Sequence, residues 1–186
     1  EPTRRRRTMG AALSRLGRKP PAKVLIAGLD SAGKTTILQR LKYGDKVSVS
    51  TMPTLSFNAE TFRAHNVQLS VWDVGGQDQL RLFWRHHYTG TQAIVYVVDS
   101  NDEERVEKSA LELHAMVQDR ELRNAVLLVL ANKSDLPHAL SLAEVKRRLR
   151  LAELTAVKWE AMRTCARTGD GLREATKWLA ANIKPL

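Results

Sequence analysis

Residues 23–35, KVLIAGLDSAGKT, decide the fold class of this 186-residue chain. The apolar run at 23–28 is typical of a buried strand, and Lys34–Tyr43 is typical of the helix that follows it. Between them, Gly28-Leu29-Asp30-Ser31-Ala32-Gly33-Lys34-Thr35 fits G-x-x-x-x-G-K-[ST] at every fixed position. A glycine-rich turn between a strand and a helix points successive backbone N–H groups at an anion. The segment therefore predicts a phosphate-binding loop, with Lys34 on the terminal phosphates and Thr35 on Mg²⁺.

The rest of the chain alternates strand-like and helix-like segments. Apolar runs predict further strands at residues 56–62, 67–72, 93–99, 125–131 and 159–165, the first two forming a hairpin turned at His65-Asn66. Capping boxes at Ser100-x-x-Glu103 and Ser141-x-x-Glu144 predict two helices, the first to about Gln118, and residues 171–183 predict a terminal helix. Because parallel strands need crossover connections, we expect an α/β fold. It has a mostly parallel six-stranded sheet, one antiparallel edge strand and helices on both faces.

Two more motifs follow predicted strands, where ligands bind in parallel sheets. Trp72-Asp73-Val74-Gly75-Gly76-Gln77 offers a carboxylate for a Mg²⁺ shell, a glycine N–H for a terminal phosphate and a glutamine to orient water. Asn132-Lys133-Ser134-Asp135 offers a carboxylate that can accept from the N1–H and 2-amino groups of guanine. Adenine has no such pair of donors, so this segment favours a guanine nucleotide.

The ordered motifs resemble those of the Ras-like small GTPases, and within them the ADP-ribosylation factor (Arf) and Arf-like branch. The branch is marked by residues 28–36, Pro53-Thr54, residues 72–77, Trp84-Arg85-His86, residues 98–102 and residues 132–137. The resemblance extends from about Lys23 to the C-terminus and implies a P-loop NTPase small G domain at residues 23–186. It also implies a GTP/GDP switch that uses Mg²⁺, hydrolyses GTP slowly without an activating protein and serves vesicle traffic.

The resemblance assigns roles by position. It makes Gln77 the catalytic residue, Thr35 and Thr54 the metal ligands, and Cys165-Ala166 the backbone that meets guanine O6. The nucleotide-binding positions that it implies are Gly28, Leu29, Asp30, Ser31, Ala32, Gly33, Lys34, Thr35, Thr36, Thr54, Asp73, Gly76, Asn132, Lys133, Asp135, Cys165 and Ala166. It also implies a guanine-nucleotide exchange factor, a GTPase-activating protein and effectors, bound by a monomer.

Three positions depart from the branch or from Ras. Ser56 stands where the family usually has glycine, and Asp30 stands where Ras has glycine, in line with slow intrinsic hydrolysis. His87 replaces an aromatic residue of the family's effector surface. We expect Phe57, Trp72 and the neighbouring Tyr88 to form that surface here.

Most of the net charge of +10 lies in an N-terminal arm, since residues 1–23 carry eight basic side chains and one acid. We expect residues 1–22 to be a basic arm, of which residues 1–8 are either native or added. Met9-Gly10-Ala11-Ala12-Leu13-Ser14 matches the myristoylation pattern on Gly10 if translation starts at Met9, although the arm equally suits an unstructured tail. We expect a cytoplasmic protein held peripherally at Golgi or endosomal membranes.

Two other classes remain open from the sequence. A P-loop nucleotide kinase shares the first motif but has no use for residues 132–135. A nucleic-acid-binding module would explain the arginines, but the arm has no aromatic side chain for base stacking, so we expect no nucleic acid partner. The single cysteine, Cys165, excludes an internal disulfide.

Overall fold

The computed structural model describes residues 21–46, 57–65, 67–81 and 83–183. The predictions for the N-terminal arm and Gly10, and those for Thr54 and Ser56, lie outside these residues. In the described part of the chain, no helix is both long and apolar enough to cross a bilayer.

A six-stranded sheet forms the centre of the fold, in the order β2-β3-β1-β4-β5-β6. The strands are β1 (Ala22–Ala27), β2 (Phe57–Ala64), β3 (Val67–Val74), β4 (Ala93–Asp99), β5 (Val126–Asn132) and β6 (Trp159–Arg163). Only the β2–β3 pairing is antiparallel, and β2 is an edge strand. The predicted α/β class, the mostly parallel sheet and its one antiparallel edge strand are confirmed.

Helices cover both faces of the sheet. They are α1 (Lys34–Tyr43), the short α2 (Asp78–Arg81), α3 (Val106–Val117), α4 (Leu142–Arg148) and α5 (Leu172–Asn182). Successive residues of β1 point to opposite faces: Leu25 packs in the cluster that holds α3 and α4, and Ile26 packs in the cluster that holds α1 and α5. Two apolar layers therefore fix the sheet, and the carboxyl ends of its parallel strands lie together at one edge.

The two predicted capping boxes have different outcomes. Ser141 and Glu144 form a complete box at the start of α4, as expected. The capping box predicted at Ser100 is wrong, because the Asp102 side chain is the one that accepts a backbone N–H, that of Arg105. Asp102 thereby starts a 3₁₀ turn, Glu103–Arg105, that leads into α3. The buried Ser100 hydroxyl has no hydrogen-bond partner among the described residues.

These two serines give a matched pair of variants. Ser141→Ala removes a helix cap and should lower the free energy of unfolding by about 1 kcal/mol, measured by urea denaturation. Ser100→Ala removes a buried hydroxyl without a partner, so its stability should equal or exceed that of wild type. Equal losses in the two variants would contradict the assignment of the caps.

Candidate functional site

The loop between β1 and α1 has the geometry of an anion cradle. Gly33 has φ +93°, and a Cβ built on it would lie 2.4 Å from the side-chain nitrogen of Asn132. Only glycine fits that backbone conformation and that close approach. The first turn of α1 follows immediately, so its free N–H groups and the positive end of its dipole face the loop.

Lys34 places a buried ammonium inside this loop. The side chain is 6% exposed, and its Nζ donates to the carbonyl oxygens of Gly28 (3.0 Å) and Leu29 (2.8 Å). Burial lowers the Lys34 pKa from 10.5 to about 8, although the carboxylates of Asp73 and Asp30 oppose the shift. A bound phosphate would raise this pKa again, because a nearby anion favours the charged form of the amine.

Thr35 and Asp73 bring the first two motifs together. The Thr35 hydroxyl donates to Asp73 Oδ2 at 2.6 Å, although 38 residues separate them in the chain. A hydroxyl and a carboxylate beside a phosphate loop are hard oxygen ligands of the kind that Mg²⁺ takes, together with phosphate oxygens and water. The residues therefore fit a Mg²⁺ ion held mainly by a bound phosphate. The other expected ligand, Thr54, is outside the described residues.

Gly76 lies directly against the phosphate loop. Its carbonyl accepts the Asp30 N–H at 3.1 Å, and a Cβ built on it would lie 2.4 Å from the Lys34 ammonium nitrogen. No side chain fits there, so the glycine is a steric requirement. Gln77, the next residue, is exposed at the same edge, where a glutamine can reach solvent water.

Asn132 joins the third motif to the first. This side chain is 1% exposed, and its Nδ2 donates to the Ala32 carbonyl at 2.8 Å. Its Oδ1 accepts the Ala166 N–H at 3.0 Å. A single amide thus connects the phosphate loop with the loop after β6.

An open cleft lies beside Asn132. Its lining includes the predicted residues Gly33, Thr36, Asn132, Lys133, Asp135, Cys165 and Ala166. The Cys165 thiol hydrogen-bonds the Asp135 carboxylate and is the main reason that the Asp135 pKa lies below its usual value. An ionised Asp135 can only accept hydrogen bonds, which suits two adjacent N–H donors on a ligand.

Three arginines of the site were missed by the sequence reasoning. Arg40 of α1 donates to the Ala166 carbonyl (3.3 Å), Arg105 donates to Asp30 Oδ1 (3.1 Å), and Arg167 lies 3.3 Å from Asp135 Oδ2. Arg167 follows the predicted residues Cys165 and Ala166, so its position gave a signal. Arg40 and Arg105 are 126 and 75 residues from their partners, and no local pattern marks them.

The expected effector surface needs a correction. Phe57, Trp72 and His87 form a ring cluster, with Phe57–Trp72, Phe57–His87 and Trp72–His87 centroids 5.5, 4.9 and 5.3 Å apart. Tyr88 is only 4% exposed and packs in the core, so its inclusion in that surface is wrong. The 3₁₀ turn Trp84–His87 directs His87 at the other two rings. Burial is the main cause that lowers the His87 pKa, and the charge of Lys23 adds to it.

Comparisons with known proteins agree with this fold. The profile of the ADP-ribosylation factor family matches residues 9–183. Among solved structures, the chain is similar to the Arl6 BBS3 small GTPase from Trypanosoma brucei, which has the nucleotide analogue GppNp bound. The two share 29% sequence identity and a TM-score of 0.79 over 87% of this chain and 96% of that one.

The Lys34 pKa generates a prediction on stability. The folded-state pKa of about 8 is below the unfolded value of 10.5, so the unfolded chain binds more protons between these pH values. Stability of the ligand-free protein should therefore rise with pH through this window. Lys34→Met removes the buried charge and should stabilise the ligand-free protein by about 2–3 kcal/mol at pH 7, an advantage that disappears near pH 10.5. Chemical denaturation at pH 7, 8.5 and 10 measures the difference, and a gap that does not change with pH would contradict the shift.

Proposed function

The chain belongs to the ADP-ribosylation factor family, and on that premise we propose that it is a Mg²⁺-dependent guanine-nucleotide switch that hydrolyses GTP to GDP. Small GTPases of this family are GTP-binding switches. The observation that carries the proposal for this chain is the Asn132 amide, which places the Asp135 cleft next to the Lys34 loop. A single nucleotide can fill both, with its purine in the cleft and its phosphates in the loop.

Base selection rests on Asp135. An ionised carboxylate accepts the N1–H and 2-amino hydrogens of guanine, whereas adenine offers it no such pair of donors. A carboxylate that is desolvated by a base without gaining hydrogen bonds from it pays a penalty, which makes such a site selective. A nucleotide kinase, the alternative for the phosphate loop, gives Asp135 no role.

Hydrolysis requires an in-line water at the terminal phosphate. Gln77 lies one residue beyond Gly76 and is the side chain that we assign to orient this water. Lys34 and the loop N–H groups stabilise the charge that moves onto the phosphate oxygens. Mg²⁺, held through Thr35 and Thr54, would neutralise the same oxygens when bound.

The switch itself depends on a single phosphate. Moving a population from 1:99 to 99:1 takes about 5.5 kcal/mol of differential binding. The Gly76 N–H, beside the phosphate loop, and Thr54 are the contacts that we assign to sense it. GTP then holds Gly76 and the loop after it at the third phosphate, and GDP releases them.

The partners follow from surface and charge. The Phe57–Trp72–His87 cluster is the surface that we assign to effectors, with Phe57 49% exposed. An exchange factor and an activating protein would act on a monomer. The basic arm, acylated at Gly10 when translation starts at Met9, is proposed to hold the protein at anionic Golgi or endosomal membranes, where it would serve vesicle traffic.

Base selection can be tested by Asp135→Asn. The variant should bind GDP about 100-fold more weakly than wild type, because the N–H of the new amide faces an N–H of guanine and the two donors cannot hydrogen-bond each other. Its affinity for xanthosine diphosphate should rise, since xanthine has a carbonyl where guanine has the amino group. Titration calorimetry with GDP, ADP and xanthosine diphosphate measures all three. Wild-type protein that binds ADP as well as GDP would contradict the proposed function.

Hydrolysis can be tested by Gln77→Leu. Single-turnover hydrolysis of GTP in the presence of the activating protein should fall at least about tenfold, because the leucine cannot orient water, while GTP affinity stays near that of wild type. Gln118→Leu, an exposed glutamine at the end of α3, is the matched control and should hydrolyse GTP normally. An unchanged rate in Gln77→Leu would remove Gln77 from the mechanism.

A further inference from the structure

Three charged side chains project from one side of α3 and the turn before it toward the phosphate loop and α2. Arg105, Lys108 and Glu112 have the spacing i, i+3 and i+7, which puts them on one helical face. We call them the α3 charged face. Their partners are Asp30 of the phosphate loop (3.1 Å) and Asp78 (2.8 Å) and Arg81 (3.0 Å) of α2.

Arg81 is the most buried of these charges. Its side chain is 7% exposed, and it lies 2.8 Å from Asp78 Oδ1 and 3.0 Å from Glu112 Oε1. It also donates to the Gly76 carbonyl at 3.0 Å, the same oxygen that accepts the Asp30 N–H at 3.1 Å. One backbone carbonyl is therefore held from two directions, by the phosphate loop and by α2.

We propose that Arg81, anchored by Glu112, is a positioning residue that holds Gly76 at the phosphate loop and thereby sets how strongly the protein distinguishes GTP from GDP. This inference rests on the proposed function and names the residues that control it. Gly76 approaches the loop so closely that a Cβ would lie 2.4 Å from both the Asp30 nitrogen and the Lys34 ammonium. The Gly76 N–H meets a third phosphate only if the Gly76 backbone is held in place beside the loop.

The ion pairs of the α3 charged face differ in how much energy they contribute. The Lys108–Asp78 pair is largely exposed, and such pairs contribute little. The Arg81–Glu112 pair is shielded on the arginine side. Without Glu112, the buried guanidinium keeps the largely exposed Asp78 carboxylate as its other charge partner among the described residues, and its hold on Gly76 weakens. Glu112 does not contact Gly76 itself, so its substitution tests the anchor without touching the phosphate site.

The test compares Glu112→Gln with Glu107→Gln, an isosteric change at an exposed position of the same helix. GTP and GDP affinities are measured with Mg²⁺ by competition against a fluorescent GDP analogue. In Glu112→Gln the preference for GTP over GDP should fall about tenfold, because Arg81 loses the partly buried carboxylate that lies 3.0 Å from its Nε, while GDP affinity stays within about twofold of wild type. Glu107→Gln should keep the wild-type ratio.

Arg81→Lys is the second variant. A lysine keeps the charge but cannot reach Gly76, Asp78 and Glu112 together, so the ratio should fall as in Glu112→Gln. The double variant should be no worse than Arg81→Lys alone, because both changes act through one contact. A lower melting temperature with an unchanged GTP/GDP ratio would reduce the pair to a structural role and overturn the proposal.

The wild-type measurements distinguish a failure of the positioning role from a failure of the proposed function. Wild-type protein without guanine preference contradicts the proposed function. Wild-type protein with guanine preference, together with a Glu112→Gln ratio equal to that of Glu107→Gln, contradicts the positioning role alone.

Discussion

The Asn132 side-chain amide is the interaction on which the site depends. It is buried at the end of β5, donates to the Ala32 carbonyl and accepts the Ala166 N–H. Both halves of the amide are thereby satisfied by backbone, which fixes its orientation. The distance between the phosphate loop and the loop after β6 is then set by the length of one side chain. A ligand that fills both must have a matching length.

The site also holds several unfavourable features of the fold. Lys34 is a buried ammonium with a lowered pKa, and the non-glycine residues Ser31 and Lys133 have φ values of 62° and 60°, in the left-handed region. Strain and buried charge persist at such positions when the surroundings hold them. Here the two apolar clusters that flank the sheet provide that support, and bound phosphate would relieve the charge.

Sequence patterns predicted the sheet and the three loops well because the signals are local. Continuous apolar runs marked β4 and β5, and the phosphate-loop spacing marked the start of α1 at Lys34. The errors have local physical causes. Asp102 replaced Ser100 as the cap because the helix starts with a 3₁₀ turn, and a second 3₁₀ turn brought His87 rather than Tyr88 to Phe57. The ion pair between Arg81 and Glu112 arises only when α2 packs near α3, so no single segment encodes it.

The most direct test of the account is a crystal structure of the chain with GDP and Mg²⁺. The account predicts the guanine in the cleft within hydrogen-bond distance of Asp135, and the phosphates in the loop around Lys34, with the Asn132 amide contacts retained between them. A nucleotide whose base lies outside that cleft, or a structure in which Asn132 leaves Ala32 and Ala166 while GDP stays bound, would contradict it.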